Sequence, residues 1–158
     1  MLASEAYGAG TVPEYELKAA YLYNFALLTT WPTESAAPMI FCVLEHDPLS
    51  TQLALLQARK IHNRSIIVKE IVMPEEARAC DVLYLDAVQH EVLLAIVDIV
   101  RNASILTVTD SLDSARTELV INMRLEASRL VFDVNMASAR RAKLTFSSKL
   151  LNLAKSIN

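Results

Sequence analysis

Glycine is almost missing from this sequence. Only two occur among 158 residues, Gly8 and Gly10, and both precede Thr11. A chain without glycine beyond that point cannot build a Gly-x-Gly-x-x-Gly turn or a Gly-x4-Gly-Lys loop, whose backbone must approach phosphate with no Cβ in the way. The Gly-x-Ser-x-Gly elbow of serine hydrolases is excluded on the same ground, and no histidine falls in the C-terminal third to complete a triad. Cysteine is equally scarce. Cys42 and Cys80 stand 38 positions apart, too few for a disulfide framework and wrongly spaced for a Cys-x-x-Cys redox or metal motif. They read either as one bridge between neighbouring strands or as two buried thiols. The longest early uncharged run, 19–33, has 15 residues, includes Asn24 and ends in Trp31-Pro32. A membrane span needs about 20 apolar residues, so this run suits a buried helix instead.

What remains is an apolar chain with polarised charge. Apolar residues make up 53% and charged ones 21%, with mean hydropathy +0.30, which excludes disorder and leaves apolar surface for an oligomer or partner to cover. The length suits one domain. Residues 1–126 carry 9 basic and 17 acidic side chains, whereas 127–158 carry 6 basic and 1 acidic. A basic C-terminal fifth on an acidic body can orient a protein toward an anionic partner, although a solvated helix face gives the same count.

Pro13 after Thr11, with Glu14 and Glu16 in the first turn, marks a helix start. The predicted helix runs over 13–30 and is ended by Trp31-Pro32, because the residue before proline is pushed out of the helical region. Short apolar runs follow at 39–44, 66–68, 82–85 and 105–108, and such runs are what strands buried on both faces look like. Helical patterns at 48–59 and 88–102 separate them, the alternation of a parallel sheet with crossovers. The link 69–80 reads as a loop or one helical turn. Runs 119–125 and 130–134 flank Glu126-Ala127-Ser128 as a hairpin. Asn135 or Ser138 can cap a short helix, 144–146 is extended, and Ser147 can cap a last helix. The expected architecture is a single α/β domain over 13–158, with a central, mostly parallel sheet, flanking helices and a C-terminal antiparallel hairpin. A flexible tail over 1–12 precedes it.

Chemistry has few footholds. His90-Glu91 lacks the second histidine of a zinc-protease helix. His46-Asp47 follows the first strand and Asp110 follows the fourth, the sheet edge where open α/β folds place ligands. The plainer reading has Asp47 capping the next helix and His46 in a loop. Catalytic residues, bound metal and cofactors are therefore not expected. Tyr21, Tyr23, Phe25 and Trp31 read first as core and second as a partner or ligand site. Leu150, Leu151 and Leu153, beside Arg140, Arg141, Lys143 and Lys149, are too many leucines for one narrow helix face and suggest anchors ringed by charge. The same leucines would equally serve the protein's own core or a dimer seam.

The stretch from Glu14 through Lys18, Tyr21 and Asn24 to Phe25, followed by Trp31-Pro32, resembles the opening signature of the YfiR family of small periplasmic proteins. Val131-Phe132-Asp133-Val134-Asn135, then Ser147-Ser148 and the leucine pair Leu150-Leu151, is similar to that family's closing pattern. The resemblance implies a non-enzymatic regulator that binds the periplasmic part of an inner-membrane diguanylate cyclase, holds it inactive and lowers cyclic dimeric GMP and biofilm formation. It further implies a homodimer, a leader removed before residue 1, release by an outer-membrane lipoprotein or redox stress, and a Cys42–Cys80 bridge permitted by the oxidising periplasm. Three places where the family tends to carry glycine read Glu45, Thr117-Glu118 and Lys143 here. A small-ligand-sensing module using the strand ends is the alternative.

Overall fold

The computed structural model describes residues 11–86 and 88–158, so residues 1–10 of the tail predicted over 1–12 lie outside the described residues. Helix α1 (Val12–Leu27) opens the fold, with the Thr11 hydroxyl accepting a hydrogen bond from the Glu14 amide at 3.3 Å. It ends earlier than the sequence predicts. Leu28 caps it, and the Thr29 hydroxyl donates to the Phe25 carbonyl at 2.6 Å. The chain then leaves as strand β1 (Thr29–Thr30), which pairs antiparallel with the later strand β9 (Thr145–Phe146). The long-range pairing of two β-branched threonines, rather than Trp31-Pro32, thus stops the helix.

Next come β2 (Met39–Leu44), α2 (Leu49–Ala54), β3 (Lys60–Ile61), β4 (Arg64–Ile71), β5 (Val82–Leu85), α3 (His90–Val100) and β6 (Leu106–Thr109). The hairpin is β7 (Ile121–Glu126) and β8 (Arg129–Val134), followed by α4 (Met136–Arg141), β9, α5 (Ser148–Leu153) and β10 (Ser156–Ile157). Short 3-10 segments, Pro74–Ala79 and Ser114–Glu118, replace full helices in two crossovers. The large sheet has the order β10-β8-β7-β6-β5-β2-β4-β3. Its centre is parallel, and the two antiparallel pairs are β3 with β4 and β7 with β8. Both edges are two-residue strands, which leaves little unpaired backbone to recruit another chain. The predicted single α/β domain with a mostly parallel sheet and a C-terminal hairpin is the fold observed.

Alternation along the strands divides the core. Met39, Phe41 and Val43 of β2, with Val82 and Tyr84 of β5, face α1 and its buried Leu22, Phe25 and Ala26. Cys42, with Leu83 and Leu85, faces the opposite way toward Leu93, Ile96 and Val97 of α3. Burial on both faces is why these strands read as continuous apolar runs. Strands β2 and β5 are neighbours, and Cys42 is disulfide-bonded to Cys80, with Cα atoms 5.9 Å apart. The predicted caps also form: Asn135 accepts from the Ser138 amide at 3.0 Å and Ser147 from the Lys149 amide at 3.1 Å.

The shortage of glycine leaves a mark on the turns. His46, His62, Asn63, Ala127, Ser128 and Lys143 all have positive φ. Lys143 occupies one of the three places singled out in the sequence. At the first place the left-handed residue is His46 rather than Glu45, and Thr117 and Glu118 do not adopt the conformation. In the β7–β8 turn, Ala127 and Ser128 have φ of 52° and 62°, the geometry that favours Asn-Gly. Replacing Ala127-Ser128 by Asn-Gly is expected to raise stability by about 1 kcal/mol, read as a melting temperature higher by about 2–4 °C. Opening the Cys42–Cys80 bridge, which closes a 38-residue separation, is expected to cost about 3–4 kcal/mol and to lower the melting temperature on reduction, with two thiols becoming titratable.

Candidate functional site

Two regions gather the residues singled out by sequence. The first lies under α1 at the carboxyl ends of the parallel strands. Glu14 and Lys18 stand one helical turn apart on the buried stripe of α1, each only 5% exposed. Lys18 Nζ lies 2.6 Å from Glu14 Oε2 and is also ion-paired with Asp110 Oδ2. Asp110 directly follows β6, and the register Leu85↔Thr109 puts Asp86, which follows β5, beside it. Asp47 joins from the turn after β2. Its Oδ1 accepts from the Leu49 amide at 2.9 Å, as expected of a residue opening α2, while its Oδ2 and Asp110 Oδ1 have no hydrogen-bond partner among the described residues.

Taking these charges out of water has a cost that one lysine does not fully offset. Asp47 is 7% exposed, and burial, opposed by the Leu49 amide and reinforced by Asp86 and Asp110, raises its carboxyl to about 6. Burial and the Asp110 carboxylate push the Tyr84 hydroxyl strongly upward, so it stays neutral. Lys18 is held above its ordinary value by Asp110 and Glu14 in spite of burial.

His46 does not enter this cluster. Its side chain is 87% exposed beside Glu45, so of the His46-Asp47 pair only Asp47 is close enough to feel Asp110. His90 instead meets Asp113 at 2.9 Å, and His62 meets the Thr29 carbonyl at 3.0 Å. Among the described residues, no group of three or more His, Cys, Asp or Glu side chains is placed to hold a metal ion. Sequence reading took Glu14 only as a helix-start carboxylate and motif residue, and passed over Asp86. The available signals were a Glu-Lys pair at i,i+4 inside an apolar stripe and an aspartate directly after each of two strands.

The second region is an apolar groove of about 290 Å³ between α1, β8 and α5. The motif residues Tyr21, Asn24 and Phe25 form one wall, Phe132 the floor, and Leu150 and Leu153 the far side. Tyr21, Phe25 and Phe132 meet edge to face at centroid distances of 4.8 to 6.4 Å, which fixes the groove's shape. Leu150 is buried, Leu151 half-buried and Leu153 exposed, so the three leucines divide between core, boundary and surface. Arg140 and Arg141 on α4, Lys143 in the following turn and Lys149 on α5 are all exposed. Arg141 meets Glu118 at 3.5 Å and Ser138 at 3.0 Å. Among the motif residues, Lys18 belongs to the ionic cluster, Trp31 and Pro32 lie at the amino ends of the strands, and Asn135 and Ser147 are caps, with Ser148 the first residue of α5.

The fold is thus an α/β sheet carrying a shaped apolar groove lined on one side by Lys155, with further exposed Arg and Lys on α4 and α5. The sequence matches the YfiR/HmsC-like family over residues 15–155, and the chain belongs to that family. It is a family of periplasmic regulators of cyclic dimeric GMP signalling. No helix among the described residues is long and apolar enough to cross a membrane. No curated protein matches the chain significantly. Solved structures that share its fold include the following two. A conserved domain protein from Vibrio cholerae O1 biovar eltor superimposes with a TM-score of 0.59 at 11% identity, covering 91% of this chain and 60% of that one. An ABC domain in complex with L-Trp from Streptococcus pneumonia gives 0.52 at 9% identity, covering 77% and 55%. The chain thus spans less than two thirds of either.

Because Asp47 has a raised value in the fold and an ordinary one near 3.8 when unfolded, its contribution to stability is full below about 4 and is lost as pH rises through about 6. Asp47→Asn keeps the Leu49 bond and removes the titration. The variant is expected to melt higher than the parent at pH 7.5, by up to about 2–3 kcal/mol, with the advantage gone at pH 4, as paired thermal melts would show.

Proposed function

We propose that this chain is a periplasmic negative regulator that binds the periplasmic part of an inner-membrane diguanylate cyclase, holds it inactive and thereby lowers cyclic dimeric GMP and restrains biofilm formation. The observation that carries this reading is the family match over 15–155. The chain acts by occupancy and needs no reacting group: it shifts the cyclase by binding its inactive form more tightly than its active one. Such a repressor acts as a homodimer and is released by redox stress or by an outer-membrane lipoprotein that sequesters it.

The groove and its surroundings supply a surface of the right kind. Leu150 and Leu153 shape its apolar side, with the half-buried Leu151 between them in sequence, and Arg140, Arg141, Lys143 and Lys149 give α4, the turn after it and α5 a positive charge suited to an acidic segment of the partner. The disulfide ties β2 to the start of β5, so reduction would loosen the sheet's centre rather than the groove itself.

A second reading, a sensor of a small ligand at the carboxyl ends of the strands, is favoured by the two unpartnered carboxylate oxygens of Asp47 and Asp110. The Streptococcus pneumonia domain with L-Trp has a similar fold, which suits a ligand-binding module. A ligand there would raise the melting temperature of the isolated protein with no cyclase present.

Deletion of the gene is expected to raise cellular cyclic dimeric GMP. Restoring it as Arg140→Glu, Lys143→Glu and Lys149→Glu together is expected to leave the level high, with partner affinity about tenfold or more below the parent's and the melt unchanged. Full repression by the triple variant would remove the basic rim from the interface.

A further inference from the structure

The amino ends of the parallel strands, opposite the acidic cluster, hold a polar cavity that the regulatory reading does not use. The loop after β1 passes over the starts of β2 and β4 and encloses about 370 Å³, lined by Trp31, Thr33, Glu34, Ser35, His62 and Arg64 among others. An adjoining hollow of about 220 Å³ shares Trp31, Thr33, Ser35 and Arg64 and reaches Asp81. Arg64 is the fixed point. It is 8% exposed, its Nε donates to the Ala37 carbonyl at 2.7 Å, and its Nη2 donates to the Pro38 carbonyl at 3.2 Å and to Asp81 Oδ2 at 3.1 Å. The third nitrogen, Nη1, has no protein acceptor among the described residues. The Trp31 indole Nε1–H is likewise buried without an acceptor.

The acceptors of the cavity are equally defined. His62 Nε2 lies 3.0 Å from the Thr29 carbonyl, which can only accept, so Nε2 bears the proton of the neutral ring and Nδ1 presents a lone pair. Ser35 Oγ accepts from the Ala37 amide at 3.1 Å, which leaves its own O–H to donate. Glu34 and Thr33 are exposed at the rim and complete the set. Asp81 already balances Arg64, so the lining holds no surplus positive charge for an anion, and Glu34 would repel one. A cation would meet one exposed carboxylate and two unused donors.

A lining that alternates donors and acceptors around an indole, with little net charge, matches a ligand that does both at every position. The geometry points to a saccharide site at the Trp31 cavity: a neutral pyranose that packs against the Trp31 side chain, takes the Arg64 donor and gives hydrogen bonds to His62 Nδ1 and Glu34. A hydroxyl donates one hydrogen bond and accepts two, and the apolar body of the indole offers a face to the ring's C–H groups. The volume lies at the small end of ligand pockets, which suits one or two rings and not a long chain. This site is independent of the cyclase reading and stands at the other end of the sheet from Asp47 and Asp110.

Trp31 is the sole tryptophan of the chain, so one indole resonance reports on the cavity. Full-length protein labelled with nitrogen-15 is titrated with glucose, galactose, mannose and N-acetylglucosamine to about 50 mM, and with glycerol, acetate and methylammonium as controls. The expected result is a saturable shift of the indole N–H signal with at least one pyranose and none of the controls. Binding should weaken at least tenfold in Thr33→Val and Glu34→Ala, whose exposed positions leave the melting temperature unchanged. No saturable shift with any pyranose, the same affinity in both variants, or saturation by acetate or methylammonium instead would each overturn the assignment.

Discussion

One buried lysine fastens the first helix to the sheet. Lys18 reaches from α1 to Asp110 at the end of β6 while holding Glu14 of its own helix, and the rest of the architecture is arranged around that contact. Were α1 attached by apolar packing alone, it could slide or rotate by a turn with modest loss. An ion pair in a dry setting tolerates no such movement, since any shift leaves an uncompensated charge. Register on α1 then fixes Tyr21, Asn24 and Phe25, one and two turns further on, and with them the wall of the groove. The surface proposed for partner binding thus depends on a contact near the opposite end of the same helix.

Much of this could be read from the amino-acid order, and the remainder has identifiable physical reasons. Strands β2, β5 and β6 were legible because burial on both faces forces runs of apolar residues, and the hairpin because alternation flanks a polar turn. The caps at Thr11, Asn135 and Ser147 are local and were found. The two-residue strands β1 and β10 were not assigned as strands, since each exists only through a partner more than twenty residues away, whereas the extended piece expected over 144–146 is β9. The early end of α1 has the same origin. Buried charge was hidden for a related reason: nothing local distinguishes Glu14 from the exposed Glu16, and only the arrival of Lys18 and Asp110 over the same spot makes its burial tolerable.

Scarcity of glycine, met first as an exclusion of phosphate loops, reappears as backbone strain. Six non-glycine residues sit in left-handed turns, among them His62 and Asn63 of the β3–β4 connection and the pair at the tip of the β7–β8 hairpin. Such strain persists only where surrounding pairing enforces it. In the β3–β4 turn it has a consequence, for it swings His62 back to the Thr29 carbonyl and closes one side of the Trp31 cavity.

We propose that this member of the YfiR/HmsC-like family acts by docking onto a membrane cyclase. The most direct test is cyclase turnover in sealed membranes that display the cyclase's periplasmic part, with the purified, disulfide-bonded protein added from that side. Conversion of GTP to cyclic dimeric GMP should fall saturably as protein is added and recover when it is washed away. Turnover that stays constant at saturating protein would contradict the account.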